Sequence, residues 1–254
     1  MFSPVELDFR RASVAEIGRA YLLNGHALLR NFVDLDRLAE LSDYVARLYD
    51  ETGALRIVPK IMRDRGLRNF HELIFTEKHK ELLDWVFCGI PYFVNETTAS
   101  RRVDPQKAIA NWQVPLGLHI DAFVHQKQFT ANCWIPFNAC GRTAPSLGVI
   151  AAPFEDVLSV IGRGEFTDAV IPLHGDEPER VIANARMRER FPDSYWTPAY
   201  ELGDCMLITN WTLHWTHSTP EMTEPRKSVE LRFTARGTLP AVLGRHQAKA
   251  DLTT

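Results

Sequence analysis

The sequence predicts an α+β protein in which a layer of helices supports an antiparallel barrel or sandwich of strands. Three observations lead there. Helix signals, with capping residues and helical apolar spacing, concentrate before about residue 105. From about residue 108 the texture changes to short runs rich in aromatic and β-branched residues, separated by Gly, Pro and Asn. Helices first and strands later, rather than the two alternating, is the α+β pattern. At 254 residues the chain can bury one large core.

The elements follow in order. Ser13-Val-Ala-Glu16 is a capping box, in which each side chain satisfies the other residue's backbone N–H. Asn24-Gly25 should end that helix, because glycine accepts the left-handed conformation of a helix terminus. His26 to Val33 (HALLRNFV) is strand-like, and Asp34 caps a second helix with Leu38, Leu41, Val45 and Leu48 on one face. Residues 68–90 read as a third helix, closing in the apolar run WVFCGI. The strand candidates are PLGLHIDAF, QFTANCWIPF, SLGVIAA, DCMLITNWTLHW and KSVELRFTA. Between Pro153 and Gly203 lies a long polar excursion containing ERVIANARMRERF. Its length and its basic run, Arg180 to Arg190, suggest a lid over residues 154–202. The expected organisation is one domain, 1–254: mainly helical support over 1–105, a barrel core over 106–240 with the 154–202 insertion, and a tail over 241–254.

Composition narrows the function. With 29 basic and 32 acidic side chains the net charge is −3, and no long block of one sign occurs. Nucleic acid and anionic membranes are therefore not the expected partners. The opening MFSPVELDFRR lacks the apolar run of a signal peptide, and no segment reaches the ~18 apolar residues of a membrane span. Cys88, Cys133, Cys140 and Cys205 form no CxxC pair and read as reduced, buried thiols of a cytoplasmic protein. A small-molecule substrate is the expected partner.

The chemistry concentrates in three places. His119-Ile120-Asp121 lies on a strand-like run, where residues two apart share a face, so imidazole and carboxylate point the same way. His214, 95 residues downstream, follows the turn residues Gly203-Asp204 and could complete a set of two histidines and one carboxylate. Such a facial triad suits Fe(II), because three positions stay open. Arg226, twelve residues after His214, heads the next strand candidate. A guanidinium buried there needs an anionic partner, and a dicarboxylate chelating the metal at its other end would supply one.

On these residues the sequence resembles the Fe(II)- and 2-oxoglutarate-dependent oxygenases, and within them the phytanoyl-CoA dioxygenase-like branch. The likeness rests on Leu118-His119-Ile120-Asp121, on the run from Gly203-Asp204 to His214-Trp215-Thr216, and on Arg226. NGHALLRNFVDLDRLAEL, residues 24–41, is similar to the branch's N-terminal phrase. The resemblance implies a double-stranded β-helix, a jelly-roll or cupin-like barrel buttressed by N-terminal helices. It implies Fe(II) held by His119, Asp121 and His214 as the catalytic centre, and 2-oxoglutarate bound by Arg226 and Thr216. O2 would be the oxidant, and a C–H bond of a small substrate would be hydroxylated or otherwise oxidised with release of succinate and CO2. In related halogenases a small residue replaces the aspartate so that chloride can bind; Asp121 points away from halogenation. The chain departs from the branch at Ile150-Ala-Ala-Pro153, where a Pro-Gly-Ser-His turn is usual, and at Pro220 and Glu221.

Several alternatives stay open. His217 could replace His214 as the distal ligand, but on a regular strand the two face opposite ways. Ser228 and Asn132 could touch the cosubstrate or be ordinary strand residues. Arg232 could hold an acidic substrate or lie in solvent. Trp112, Trp134, Trp211 and Trp215 read as core or pocket wall, and His125 as a loop residue. A barrel hydrolase or isomerase using the same ligands, or a non-catalytic barrel that binds a small acid, are the competing functions.

Overall fold

The computed structural model describes residues 4–52, 56–57, 75–94, 98–105, 118–121, 129–162 and 189–236. Expected features on Trp112, His125, residues 163–188 and the 241–254 tail lie outside them.

The first helix forms as its caps dictate. In α1 (Val14–Asn24), Ser13 N–H donates to Glu16 Oε2 at 2.8 Å, and Glu16 N–H donates to Ser13 Oγ at 3.2 Å. Gly25 ends the helix at φ 73°, and a Cβ there would meet the Phe154 ring at 2.5 Å. The chain continues directly into β2 (His26–Arg30), which runs parallel to β1 (Glu6–Asp8). Asp34 Oδ1 then accepts the N–H groups of Asp36 and Arg37 at the start of α2 (Leu35–Thr52). Leu38, Leu41, Val45 and Leu48 are buried, as their spacing requires. After β3 (Arg56–Ile57), α3 spans Glu77–Val86; residues 68–74 of the expected 68–90 helix lie outside the described residues. Its start is fixed by Thr76, whose N–H donates to His79 Nδ1 at 2.9 Å. Its end is fixed by Cys88 and Gly89, both at positive φ. Cys88 is exposed there, contrary to expectation, while Cys133, Cys140 and Cys205 are buried and all four thiols are free.

The remaining elements are β4 (Tyr92–Val94), β5 (Ala99–Val103), β6 (Thr130–Pro136), β7 (Ser146–Ile150), α4 (Phe154–Gly162), β8 (Tyr195–Trp196), β9 (Cys205–Thr209), β10 (His214–His217) and β11 (Arg226–Ala235). They build two sheets. The larger runs β1-β2-β9-β6-β11-β5-β3, with β4 also paired to β11, and is antiparallel except for β1 against β2. The smaller runs β10-β7-β8. The run DCMLITNWTLHW, read as one strand, is two. A turn at Thr209–Thr212, in which Trp211 N–H donates to Thr209 Oγ1, carries the chain from the large sheet (β9) to the small one (β10). Arg30 and Asp204 form an ion pair beneath the preceding turn, where Gly203 has φ 88°.

Pleating divides the large sheet cleanly. Ala131, Cys133, Cys205, Leu207, Val229, Leu231 and Phe233 face α1–α3 in one apolar cluster. Their alternate neighbours Leu28, Trp134, Met206 and Ile208 face Leu147 and Val149 of the small sheet. The start of the 154–202 excursion is packed structure: Phe154, Val157, Leu158 and Val160 of α4 join Leu118, Ile120, Trp211 and Leu213. Its far end returns as β8 to the edge of β7.

His79 ties α3 to this layer. Its Nε2–H donates to the Phe32 carbonyl at 2.8 Å, so Nδ1 is the bare acceptor that receives Thr76. Burial lowers its pKa to about 4, and the same cause acts on buried His26. The unfolded chain, with histidines titrating near their ordinary 6.5, then binds more protons than the fold between pH about 6.5 and 4. Stability should therefore fall as pH drops through that window, by on the order of a few kcal/mol. Urea midpoints measured from pH 7.5 down to 4.5 test this: the decline should be shallower in His79→Gln, and an identical decline would remove His79 from the account.

Candidate metal centre

Backbone pairing places the two histidines. His119 N–H donates to His214 O at 2.9 Å, and His214 N–H donates to His119 O at 3.0 Å, a reciprocal antiparallel bridge. The imidazoles consequently lie side by side, with ring centres 4.2 Å apart. Asp121, two residues after His119, brings Oδ1 to 3.8 Å from His119 Nε2 and 3.9 Å from His214 Nε2. All three are buried, and one ligand atom from each lies within 4.8 Å of the others, a grouping that could hold one metal ion.

The tautomer of His214 follows from its partner. Its Nδ1 is 2.8 Å from the Thr212 carbonyl, which can only accept, so the proton sits on Nδ1 and the Nε2 lone pair faces the cluster. Thr212 is itself held: its hydroxyl donates to the Gly25 carbonyl. The C-terminus of α1 thus sets the orientation of His214 through the Thr209–Thr212 turn. His217 stands elsewhere. It pairs with Ser146 in register, out of phase with His214, and is half-buried outside the cluster.

β11 supplies the charges. Arg226, Ser228, Glu230 and Arg232 alternate with residues packed on the helices, and all four are buried. Arg232, far from solvated, donates from Nη2 to Asp121 Oδ2 at 3.0 Å and reaches Glu230 Oε2 at 2.7 Å. Glu230 Oε1 is 3.0 Å from Arg101 Nε on the neighbouring strand β5. Burial alone would raise the Glu230 pKa, but Arg101 and Arg232 outweigh it and hold the carboxyl near 2. Arg226 has no such partner: no carboxylate of the described residues lies within ion-pair distance. Its Nη1 makes one long contact, 3.4 Å, to the Ser146 carbonyl; its Nε has no hydrogen-bond acceptor; and the guanidinium lies 5.6 Å from the Trp134 ring centre. Burial pushes its pKa down, opposed in part by Glu230.

His119, His214, Arg226, Glu230 and Arg232 line one narrow cleft. Its walls include His119, His214, Asn132, Trp134, Thr216 and Arg226. Around it, buried polar atoms lack partners: Asn132 Oδ1, Trp134 Nε1, Ser146 Oγ, Arg226 Nε and Ser228 Oγ. Trp211 packs in the core beside α4, and Trp215 lies against Tyr195 with ring centres 5.1 Å apart. Glu230 and Arg101 were missed in the sequence. The period-two spacing of Arg226, Ser228, Glu230 and Arg232 marks β11's polar face, but only strand pairing brings Arg101 to it.

No protein-family model and no curated protein matches the sequence. Solved structures do match in fold. The crystal structure of AviO1 from Streptomyces viridochromogenes Tue57 has a TM-score of 0.59 at 14% identity, over 90% of this chain and 97% of that one. EvdMO1 has a TM-score of 0.58 at 16% identity over 89% of this chain, which spans about half (51%) of EvdMO1. SnoN, a non-heme alpha ketoglutarate dependent epimerase from nogalamycin biosynthesis, has a TM-score of 0.58 at 15% identity, over 87% of this chain and 80% of its own. A second SnoN structure is a complex with Fe3+, alpha ketoglutarate and nogalamycin RO. The chain therefore shares its sheet-dominated fold with a non-heme alpha ketoglutarate dependent enzyme.

An unpaired buried guanidinium is a cost to the ligand-free fold. Arg226→Met, similar in length and apolar, should raise the stability of the free protein by on the order of 1 kcal/mol. Chemical unfolding without added ligand checks it; a destabilised variant would make Arg226 a structural residue.

Proposed function

We propose that this protein is an Fe(II)- and 2-oxoglutarate-dependent dioxygenase that hydroxylates or otherwise oxidises a C–H bond of a small organic substrate, releasing succinate and CO2. The observation that carries the reading is Arg226, a buried cation with no carboxylate partner among the described residues, in the same cleft as His119 and His214, the histidines clustered with Asp121. A metal site alone has no need of it; a dicarboxylate bound to that metal does.

The residues present fit both groups. His119 and His214 would hold the iron through Nε2, and Asp121 through Oδ1. Arg226 would receive the distal carboxylate of 2-oxoglutarate, a charge-assisted contact. Thr216 shares its strand face with His214 and lines the cleft, so its hydroxyl is placed for the same cosubstrate. The unpartnered Trp134 Nε1, Ser228 Oγ and Ser146 Oγ are further donors waiting for an acceptor. When bound, the iron and 2-oxoglutarate supply the oxidising chemistry with O2; the protein orients the substrate and excludes water. Trp134, Leu147 and Ile208 form the apolar wall for that purpose.

Within the oxygenases we assign the chain to the phytanoyl-CoA dioxygenase-like branch, with a closed double-stranded β-helix, on the motifs from Asn24 to Leu41 and from Gly203 to Arg226. SnoN, similar in fold, is an alpha ketoglutarate dependent epimerase, so an outcome other than hydroxylation is the second reading. Product analysis distinguishes the two. A hydrolase or isomerase using the same ligands would leave Arg226 without a role.

Two measurements test the reading. Alanine at His119, Asp121 or His214 should abolish tight Fe(II) binding under anaerobic conditions, while His217→Ala should retain it; the reverse result would make His217 the ligand. Arg226→Ala should raise the 2-oxoglutarate requirement for succinate release about ten- to a hundredfold, since a hydrogen bond to a charged group is worth roughly 1.5–3 kcal/mol. An unchanged requirement would remove Arg226 from the cosubstrate site.

A further inference from the structure

We infer that Arg232 is a positioning residue that restricts Asp121 to binding the metal through one oxygen, with Glu230 and Arg101 holding Arg232 in place. The inference rests on the metal and cosubstrate assignment above and adds a function to residues that assignment leaves unused.

The two oxygens of Asp121 have different surroundings. Oδ1 faces the Nε2 atoms of His119 and His214 at 3.8 and 3.9 Å, whereas Oδ2 accepts from Arg232 Nη2 at 3.0 Å. Arg232 is braced behind by Glu230 at 2.7 Å, and Glu230 by Arg101 at 3.0 Å. The result is a chain of alternating charge that enters from β5, crosses β11 and ends on the metal carboxylate. All four members are buried or nearly so, with side chains between 7% and 24% exposed. Stability does not account for such a chain, because buried ion pairs repay their desolvation poorly compared with apolar packing of the same volume. Its orienting effect does.

A carboxylate can bind a cation through one oxygen or both, and the second mode occupies an additional coordination position. Two imidazoles and one carboxylate oxygen leave three positions of an octahedron. Chelating 2-oxoglutarate takes two of these and O2 the third, so an aspartate bound through both oxygens would compete with them. A hydrogen bond to Oδ2 raises the cost of that second mode. A second-sphere partner of this kind typically changes metal affinity or activity 10–100-fold.

The test is anaerobic titration of wild type, Arg232→Met, Arg232→Gln and Glu230→Gln, first with Fe(II), then with 2-oxoglutarate, following the visible charge-transfer band of the chelated cosubstrate. Arg232→Met should still bind one Fe(II) but need at least tenfold more 2-oxoglutarate to develop the band. Arg232→Gln should recover most of that loss, because its amide can donate to Oδ2 without carrying charge. Glu230→Gln, which loosens Arg232, should fall between. Equal behaviour of the Met and Gln variants, or a wild-type band in Arg232→Met, would overturn the inference while the function stands. A wild-type protein that develops no band overturns the function and the inference with it. If Arg232→Met fails to unfold cooperatively, Glu230→Gln decides: normal Fe(II) stoichiometry with an unchanged 2-oxoglutarate requirement would overturn the role of Arg232.

Discussion

The reciprocal backbone bridge between His119 and His214 is the contact on which the site depends. Neither histidine belongs to a long strand where they meet, yet the two N–H···O bonds fix their side chains on one face at the distance a single ion could span. Asp121 lies two residues on, beside both rings, although residues 118–121 form an isolated bridge with His214 and not the expected strand. Because His214 sits on the small sheet, the bridge also ties the metal cluster to β7 and, across the interior, to the large sheet. The helical layer reaches the same point. Gly25 ends α1, its carbonyl holds the Thr212 hydroxyl, and the Thr212 carbonyl holds the His214 ring. A capping signal near the N-terminus is thereby connected to the tautomer of a histidine 189 positions later.

Buried charge gives the cleft its character. Arg101, Arg226 and Arg232 face Glu230 and Asp121, so among the described residues the guanidinium groups outnumber the carboxylates around a centre suited to a divalent cation. Adding that cation would increase the imbalance. An anionic ligand relieves it, and one with two negative groups can satisfy the metal and Arg226 together. The unpartnered donors on Trp134, Ser228 and Ser146 point to the same conclusion by a separate route, since buried polar atoms without partners are rare in a settled fold.

The arginines divide the work according to their partners. Both lie on β11, on the same face, and six residues apart, so sequence spacing cannot separate them. Arg232 is occupied by Glu230 and Asp121 and has its geometry fixed before any ligand arrives. Among the described residues Arg226 meets a distant carbonyl and an aromatic ring, and no carboxylate. Preorganisation at one arginine and an open valence at the other suit them to orienting a ligand residue and to receiving a ligand, respectively.

Local chemistry determined much of this from the sequence alone. The caps of α1 and α2 are encoded within a few residues, as Ser13 with Glu16, Gly25, and Asp34. The two-residue periodicity of β6, β9 and β11 separates a helix-facing side from an inner side. The inward face of Arg226 was legible in the period-two pattern of β11, whereas His119 and Asp121 lie at an isolated bridge and not on the strand their spacing suggested. What the sequence could not decide depends on contacts between distant segments. The turn at Thr209–Thr212 breaks an apparently continuous strand, because its hydroxyls find backbone partners that include the end of α1. That His214 and not His217 lies beside His119 and Asp121 follows from the bridge to His119. The pairing of Arg232 with Asp121 follows from the segment carrying Asp121 being brought against β11, and the pairing of Arg101 with Glu230 from β5 lying beside β11. A strand arginine looks the same in sequence whether it meets water or a carboxylate; only the tertiary structure supplies the neighbour, and the neighbour determines what the charge can do.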